Sequence, residues 1–405
     1  MELNEKNIKY ITEAYGDAFY LLDSKQFEQN YTNLVDAFSS IYPHFNIAYS
    51  YKTNYTPKLC QIVNTHGGYA EVVSDMEMEI ALRAGVPAQK IIWNGPIKNM
   101  AKVKELLLAG GTVNVDNLKE MNAIVSMAKN YPDHRLNVGL RCNFDVGDGV
   151  ISRFGFDTES DEFSNAPHMI LEIPNLHLVN LQCHFAKRSV EFWPARAKGM
   201  IEIIDVVSKV LGYVPERIDL GGGIYGNMDD ALKQQFSTPI PNYMDYANAA
   251  ARAFIEHFPN AEPELVIEPG SALAGDCMKF VGKVESIKNV RGKYYATILG
   301  SQKNISMGGV NPPLMVLKTG EMRQHYEDLD IVGYTCIEGD VLFHNYQGEL
   351  AEDDYIVFGN CGSYSIVMKP PFIMPNFPVL DICGGDIEVI KRGETFEDLF
   401  RTFAF

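Results

Sequence analysis

The chain has 405 residues, of which 46% are hydrophobic and 21% charged, and a net charge of −17. It is too long for one ordinary core, so two domains are expected, one of them large enough to be a barrel. The acidic excess, without any basic tract, excludes nucleic acid and anionic membrane surfaces as partners, because both require clustered Lys and Arg.

In chain order, the opening "MELNEKNIKY" has no apolar signal core, and no later run approaches the roughly 20 apolar residues of a membrane span. Cytoplasmic residence is therefore expected. "DAFYLLD" reads as a strand, and "QFEQNYTNLVDAFSSIY" has helical periodicity. Short apolar, β-branched runs then recur as "NIAYSY", "YAEVV", "KIIWNG", "TVNVD", "LNVGLR", "LHLVNLQCH", "RIDLGG" and "ELVIEP". Between most of them lie helical stretches such as "DMEMEIALRAG", "KVKELLLAG", "DNLKEMNAIVSMAK" and "ARAKGMIEIIDVVSKVLG". Eight strands alternating with helices predict a (β/α)8 TIM barrel, an α/β fold of about 250 residues, which we place at residues 27–275.

After "GSALAGD" the rhythm changes. "KFVGKVESIKNV", "YYATILG", "DLDIVG", "DVLFHN" and "DDYIVFG" are strands split by turns with little helix. They predict a C-terminal antiparallel β domain of sandwich or barrel type over residues 276–405, which the early strand in residues 1–26 could join. The acidic "GELAEDD" reads as a solvated loop, and Trp93 and Trp193 read as core packing. Seven cysteines, an odd number with neither CxxC spacing nor a Cys/His metal pattern, predict free thiols in a reducing compartment and no metal site.

In such a barrel, chemistry gathers at the C-terminal ends of the strands. Lys52 follows the first strand and precedes a helix start at Pro57, His184 ends the sixth, "DLGGGIYG" follows the seventh, and Glu268 stands at the mouth of the eighth in "IEPGSALAG". A lysine there is costly to bury unless it is paired or its amine reacts. Gly221, Gly223 and Gly226 match G-x-G-x-x-G, but a dinucleotide fingerprint belongs to the first strand of a doubly wound sheet, not to the seventh of eight. What remains is a backbone that can cradle a phosphate. A lysine amine, a phosphate cradle, a histidine and a carboxylate together suggest pyridoxal 5'-phosphate held as a Schiff base.

"AYSYKTN", "EVVSDMEMEIALRAGV", "WNGPIKN", "VNVDN", "ISRFGF", "HFAKRS", "DLGGGIYG", "IEPG", "YTCIEGDVL" and "GNCGSYS" resemble, in collinear order, the successive motifs of the fold-type III pyridoxal-phosphate-dependent decarboxylases. This is the diaminopimelate/ornithine/arginine decarboxylase group, related to alanine racemase. The resemblance implies that Lys52 forms the Schiff base, that His184 stacks on the cofactor ring and that Glu268 pairs with the ring nitrogen. Racemases of this fold carry an arginine at that last position, so Glu268 favours decarboxylation. Gly221, Gly222, Gly223, Gly270, Ser271 and Tyr364 would hold the phosphate, with Ser189 as a further candidate. Cys336 matches the cysteine that delivers a proton from across a dimer interface, which implies a homodimer with shared active sites, and Asp340 keeps the family spacing behind it. Arg153 would approach the cofactor's phenolic oxygen or the substrate carboxylate, or else form a structural ion pair.

The chain also departs from the family pattern. The usual H-x-G-S becomes "HFAKRS", EPGR becomes "EPGS" with Ser271, and the segment resembling R-P-A-L-Y is "NPPLM", with Asn311 at the arginine and Met315 at the tyrosine. After Cys336 comes Ile337, with the acidic Glu338 one place later. Arg153, Asn311, Glu338 and Asp340 are the candidate substrate-binding residues. A distal carboxylate normally needs a bidentate arginine, so these changes predict a substrate other than meso-diaminopimelate. The expected activity is decarboxylation of an amino acid or its conjugate at Cα. The alternatives are an amino-acid racemase or epimerase on the same fold, and a non-catalytic decarboxylase-like regulator.

Overall fold

The computed structural model describes residues 3–306, 309–383 and 385–404; the outer limits of the expected domains, Met1 and Phe405, lie outside them. The strands are β1 (Ala18–Leu22), β2 (Phe45–Ser50), β3 (Tyr69–Val72), β4 (Ile91–Trp93), β5 (Thr112–Val115), β6 (Leu136–Asn143), β7 (Phe156–Asp157), β8 (Leu176–Cys183), β9 (Arg217–Asp219), β10 (Glu264–Ile267), β11 (Met278–Val290), β12 (Lys293–Ile298), β13 (Leu314–Leu317), β14 (Gln324–Val332), β15 (Val341–Leu350), β16 (Tyr355–Phe358), β17 (Val379–Asp381) and β18 (Glu388–Lys391). They fall into two compact units. One comprises Glu28–Tyr225 and Ile240–Ala272; the other comprises Met1–Phe27, Gly226–Pro239 and Leu273–Phe405.

In the first unit the parallel strands run in the order β5-β4-β3-β2-β10-β9-β8-β6, and β5 pairs with β6 to close the ring. All eight barrel strands expected from the sequence are present. β3, β4 and β5 are buried along their whole length, as near-continuous apolar strands covered on both faces must be. Register sets the interior: Ser50 lies opposite Glu71, and Val72 opposite Trp93. The helices start where the sequence offers caps. Ser74 accepts from the Glu77 amide and Asn117 from the Glu120 amide, while Pro57 occupies the first turn of its helix. The helix Trp193–Leu211 stops at Gly212, whose φ of 77° suits a residue without Cβ. Trp93 and Trp193 are fully buried.

The helix Asp161–Leu171 contains Pro167, and Tyr243–His257 is alanine-rich; neither stood out by periodicity. No described helix is long and apolar enough to cross a membrane.

The second unit is a largely antiparallel sheet, with β1 joined to β11 antiparallel and to β17 parallel, and with β12 and β14 also parallel. β13, β17 and β18 were not distinguished in the sequence. The expectation of a solvated "GELAEDD" loop is corrected in part: Glu349, Glu352 and Asp353 are exposed, but the rest is not loop in solvent. Gly348 to Leu350 end β15, and Asp354 is wholly buried. Arg323 forks onto both Asp354 oxygens at 2.7 and 2.9 Å, and the Gly320 and Ala351 amides donate to them at 2.9 and 2.8 Å. A buried carboxylate so saturated is stable where a bare one would not be.

Candidate active site

Lys52 leaves β2 in a turn built by its neighbours. Asn54 Oδ1 accepts from the Thr56 amide and hydroxyl at 3.1 and 2.6 Å, and Tyr49 Oη donates to the Asn54 carbonyl at 2.8 Å. The half-exposed Lys52 Nζ donates to Glu71 Oε2 at 2.6 Å, and Glu71 is 1% exposed. The Ser50 hydroxyl and Asn94 Nδ2 also donate to Glu71. Burial pushes the Glu71 carboxyl up, but Lys52 and these donors outweigh it and hold the pKa below the ordinary value. The partner that a lysine at this strand mouth requires is therefore Glu71, inside β3.

Asn94 Nδ2 also donates to Glu268 Oε1 at 2.5 Å, and Gln182 Nε2 to both Glu268 oxygens at 3.2 Å. The Asn94 amide thus connects the lysine's carboxylate to the one at the eighth strand, with Gln182 holding the latter from β8. Burial, and then the nearby Glu71 charge, raise the Glu268 pKa to about 7. Burial, and then the nearby Glu268 charge, push the Asp219 carboxyl well above its ordinary value. Its Oδ1 accepts from the Gly221 amide at 2.9 Å, and its side chain also shares a hydrogen bond with Glu268.

His184 Nδ1 accepts from the Gly222 amide at 3.0 Å, which puts the ring proton on Nε2. Burial, with Lys52 and Arg196 adding positive charge, lowers its pKa well below the ordinary value, so the ring is neutral. A Cβ on Gly221 would stand 2.2 Å from the Cys183 carbonyl, and one on Gly222 2.5 Å from the Glu268 carbonyl. Only glycine lets the loop lie this close to the strand ends. The amides of Gly221 and Gly222 are thus engaged within the chain; those of Gly223 and Ile224 have no acceptor among the described residues. Gly270 packs on Thr53, and Ser271 Oγ lies 3.4 Å from Arg188 Nη2. Ser189 precedes a short 3-10 turn, Val190–Phe192, without capping it. Arg153 is exposed and stacks 4.0 Å over the Phe154 ring.

The remaining sequence candidates belong to the second unit. Cys336 is exposed, whereas Cys60, Cys142, Cys183, Cys277 and Cys361 are buried, and burial raises the pKa of each of those five thiols. Asp340 is 6% exposed and anchors the loop carrying Cys336. It accepts from the Thr335 hydroxyl at 2.6 Å, the Gln302 amide at 2.7 Å and the Ser301 hydroxyl at 3.0 Å. Both oxygens are taken, so its placement is that of an anchor. Glu338 is exposed. The Asn311 side chain is spent on the His344 backbone, donating to its carbonyl at 3.0 Å and accepting from its amide at 2.9 Å. Tyr364 has a left-handed φ of 59° just before the turn Ser365–Met368.

Glu71, Asn94, Gln182, Asp219, Arg188 and Arg196 were not singled out from sequence. Four of them are polar residues within or just after otherwise apolar barrel strands, and that interruption was the readable signal.

The fold is that of solved amino-acid decarboxylases. The crystal structure of diaminopimelate decarboxylase from Methanocaldococcus jannaschii in complex with L-lysine matches with a TM-score of 0.86 at 23% identity, over 98% of this chain and 94% of that one. The Paramecium bursaria Chlorella virus arginine decarboxylase matches with a TM-score of 0.76 at 21% identity, over 93% and 100%. In sequence, the M. jannaschii diaminopimelate decarboxylase is 24% identical over 96% of this chain and 91% of its own length, and that of Bacillus subtilis 24% over 99% and 94%. Residues 26–275, more than half of the chain, match the family described as "Pyridoxal-dependent decarboxylase, pyridoxal binding domain". The chain belongs to this family, and is a carboxy-lyase that uses pyridoxal 5'-phosphate.

The residues present fit that cofactor. Lys52 offers an amine, Glu268 a carboxylate ready to ionise against a cation, and His184 a neutral flat ring. The loop offers the amides of Gly223 and Ile224, without an acceptor among the described residues, directly after two glycines where a Cβ would clash.

Proposed function

We propose that the chain decarboxylates an amino acid at Cα with its cofactor joined to Lys52, and that Cys336 of a second copy returns the proton, making the working enzyme a homodimer. The observation that carries this reading is the hydrogen-bonded line Lys52–Glu71–Asn94–Glu268 across the barrel mouth. When bound, the cofactor accepts the electron pair of the bond between Cα and the departing carboxylate.

The chain's own residues do the rest. Glu71 holds the Lys52 amine charged and aimed until the cofactor arrives. Glu268, poised near pH 7, ionises once a protonated ring nitrogen faces it, because an adjacent cation favours the charged form. His184, neutral and fixed by the Gly222 amide, supplies a flat uncharged face. Gly223 and Ile224 would offer their amides to the cofactor's phosphate. Cys336 stands exposed on a loop pinned by Asp340, positioned to give its proton to Cα of a substrate held by another copy.

At the two positions where the family pattern places arginine this chain has Ser271 and Asn311, so the grip that a distal carboxylate calls for is missing there. Asn311 is consumed by the His344 backbone, and Met315 offers no charge. We therefore place the substrate among amino acids or amino-acid conjugates other than meso-diaminopimelate. Carbon dioxide release from a panel of amino acids tests the assignment. Turnover of one panel member is expected, with meso-diaminopimelate slow; fast turnover of meso-diaminopimelate refutes the substrate assignment.

A further inference from the structure

A phosphate monoester carries nearly two negative charges at neutral pH, and two amides do not neutralise it in a poorly solvated site. Lys52 is committed to Glu71, and Ser271 is neutral. Two arginines that the family pattern did not announce lie next to the glycine loop.

Arg196 is 0% exposed. Its Nη1 donates to the carbonyls of Leu220 and Gly222 at 3.0 and 2.7 Å, which ties it to the loop from behind. Its Nε and Nη2 have no hydrogen-bond partner among the described residues, and Nη2 lies 3.8 Å from where a Cβ on Gly223 would be. Trp193 and Phe185 rings face the guanidinium at 4.3 and 5.4 Å. Of the acidic groups around it, Asp148 and Glu268, neither is within ion-pair distance. A buried guanidinium with idle donors and no counterion is disfavoured unless an anion completes it.

Arg188 is half-buried in the loop after β8, with Nη2 3.4 Å from Ser271 Oγ and its guanidinium 5.6 Å over the Tyr225 ring. No carboxylate pairs with it among the described residues. Tyr246 Oη donates to the Arg188 carbonyl at 2.6 Å and accepts from the Tyr225 amide at 3.4 Å. The backbone carrying Arg188 is thereby stitched to the strand of chain that follows the glycines.

We infer that Arg188 and Arg196 form the cationic half of a phosphate site at Gly223 and Ile224, with Arg188 reaching from the loop after β8 to supply the charge that Ser271 lacks. This rests on the pyridoxal 5'-phosphate reading above and assigns the anchoring of its phosphate. The pair distinguishes phosphorylated from unphosphorylated forms of the cofactor, because a guanidinium matches phosphate geometry bidentately and gains nothing from a neutral alcohol.

The test compares wild type, Arg188→Gln and Arg188→Lys full-length protein. Dissociation constants for pyridoxal 5'-phosphate and for pyridoxal are read from visible absorbance, and binding of inorganic phosphate to cofactor-stripped protein from calorimetry. Arg188→Gln should weaken pyridoxal 5'-phosphate by about tenfold or more and leave pyridoxal within about twofold, with Arg188→Lys in between. Inorganic phosphate should bind wild type and not Arg188→Gln. Arg196→Gln should weaken the phosphorylated cofactor further; if it fails to fold, the Arg188 series decides alone. Equal loss for both cofactor forms overturns the inference, as does a raised KM for substrate with cofactor affinity unchanged, since the guanidinium would then serve a substrate carboxylate. Wild type that binds inorganic phosphate but develops no visible band sustains the arginine pair and refutes the cofactor reading instead.

Discussion

In the barrel unit, Glu71, Asp219 and Glu268 are 1%, 0% and 3% exposed and set one another's protonation, whereas in the β unit Cys336 stands in solvent on a loop held by a buried aspartate. Groups of the first kind take their chemistry from their own surroundings: burial and neighbouring charge decide which form exists at neutral pH. A residue of the second kind has a fixed position but receives its surroundings from whatever docks against it. That division is what the proposed function asks for, with the cofactor held within one chain and the proton donor serving another.

The contrast is broken most sharply at the lysine. Lys52→Ala should lower decarboxylation by about four orders of magnitude or more and remove the visible band of the bound cofactor; residual turnover near wild type would dissolve the barrel side of the comparison. Cys336→Ala should keep the band and reduce carbon dioxide release by roughly a hundredfold or more. Mixing Lys52→Ala with Cys336→Ala protein should restore part of the activity, and no recovery would argue against a thiol that acts between copies. Asp340→Ala leaves the Thr335 and Ser301 hydroxyls and the Gln302 amide without their acceptor, and should cost about 2 kcal/mol of stability in denaturant unfolding.

The smallest effect concerns pH. The Glu268 pKa is raised from 4.5 to about 7 in the fold, so between these values the folded state binds more protons than the unfolded one. Its contribution to stability therefore falls as pH rises through that window. Cofactor-free Glu268→Gln should lose about 2 °C less in melting temperature than wild type between pH 5 and 7.5; parallel curves would show that Glu268 is not held protonated.

The barrel was legible because its strands are short apolar runs that recur between helices, and Lys52, His184, the glycines and Glu268 all sit just past strand ends where the topology concentrates chemistry. The polar interior was not, since register decides whether Glu71 or Asn94 points inward, and register is a property of paired strands. Asp354 was misread for a related reason: its burial depends on Arg323, more than thirty residues away. β13 hides behind Pro312 and Pro313, whose turn signals mask the strand Leu314–Leu317. Arg188 and Arg196 carried no signal beyond departing from a familiar spacing.

Neither unit is one continuous piece of chain. After the glycine loop the polypeptide passes at Gly226 into the β unit, stays there to Pro239, and returns to supply the last barrel helix and strand. The Gln235 side chain in this excursion accepts from the Asn311 amide at 2.8 Å and donates to its carbonyl at 2.9 Å. A gene fragment trimmed to residues 26–275 would therefore carry a stranded insert, so the pyridoxal-binding half is a poor module for grafting, and recombination between relatives should succeed only when 226–239 travels with the sheet it belongs to.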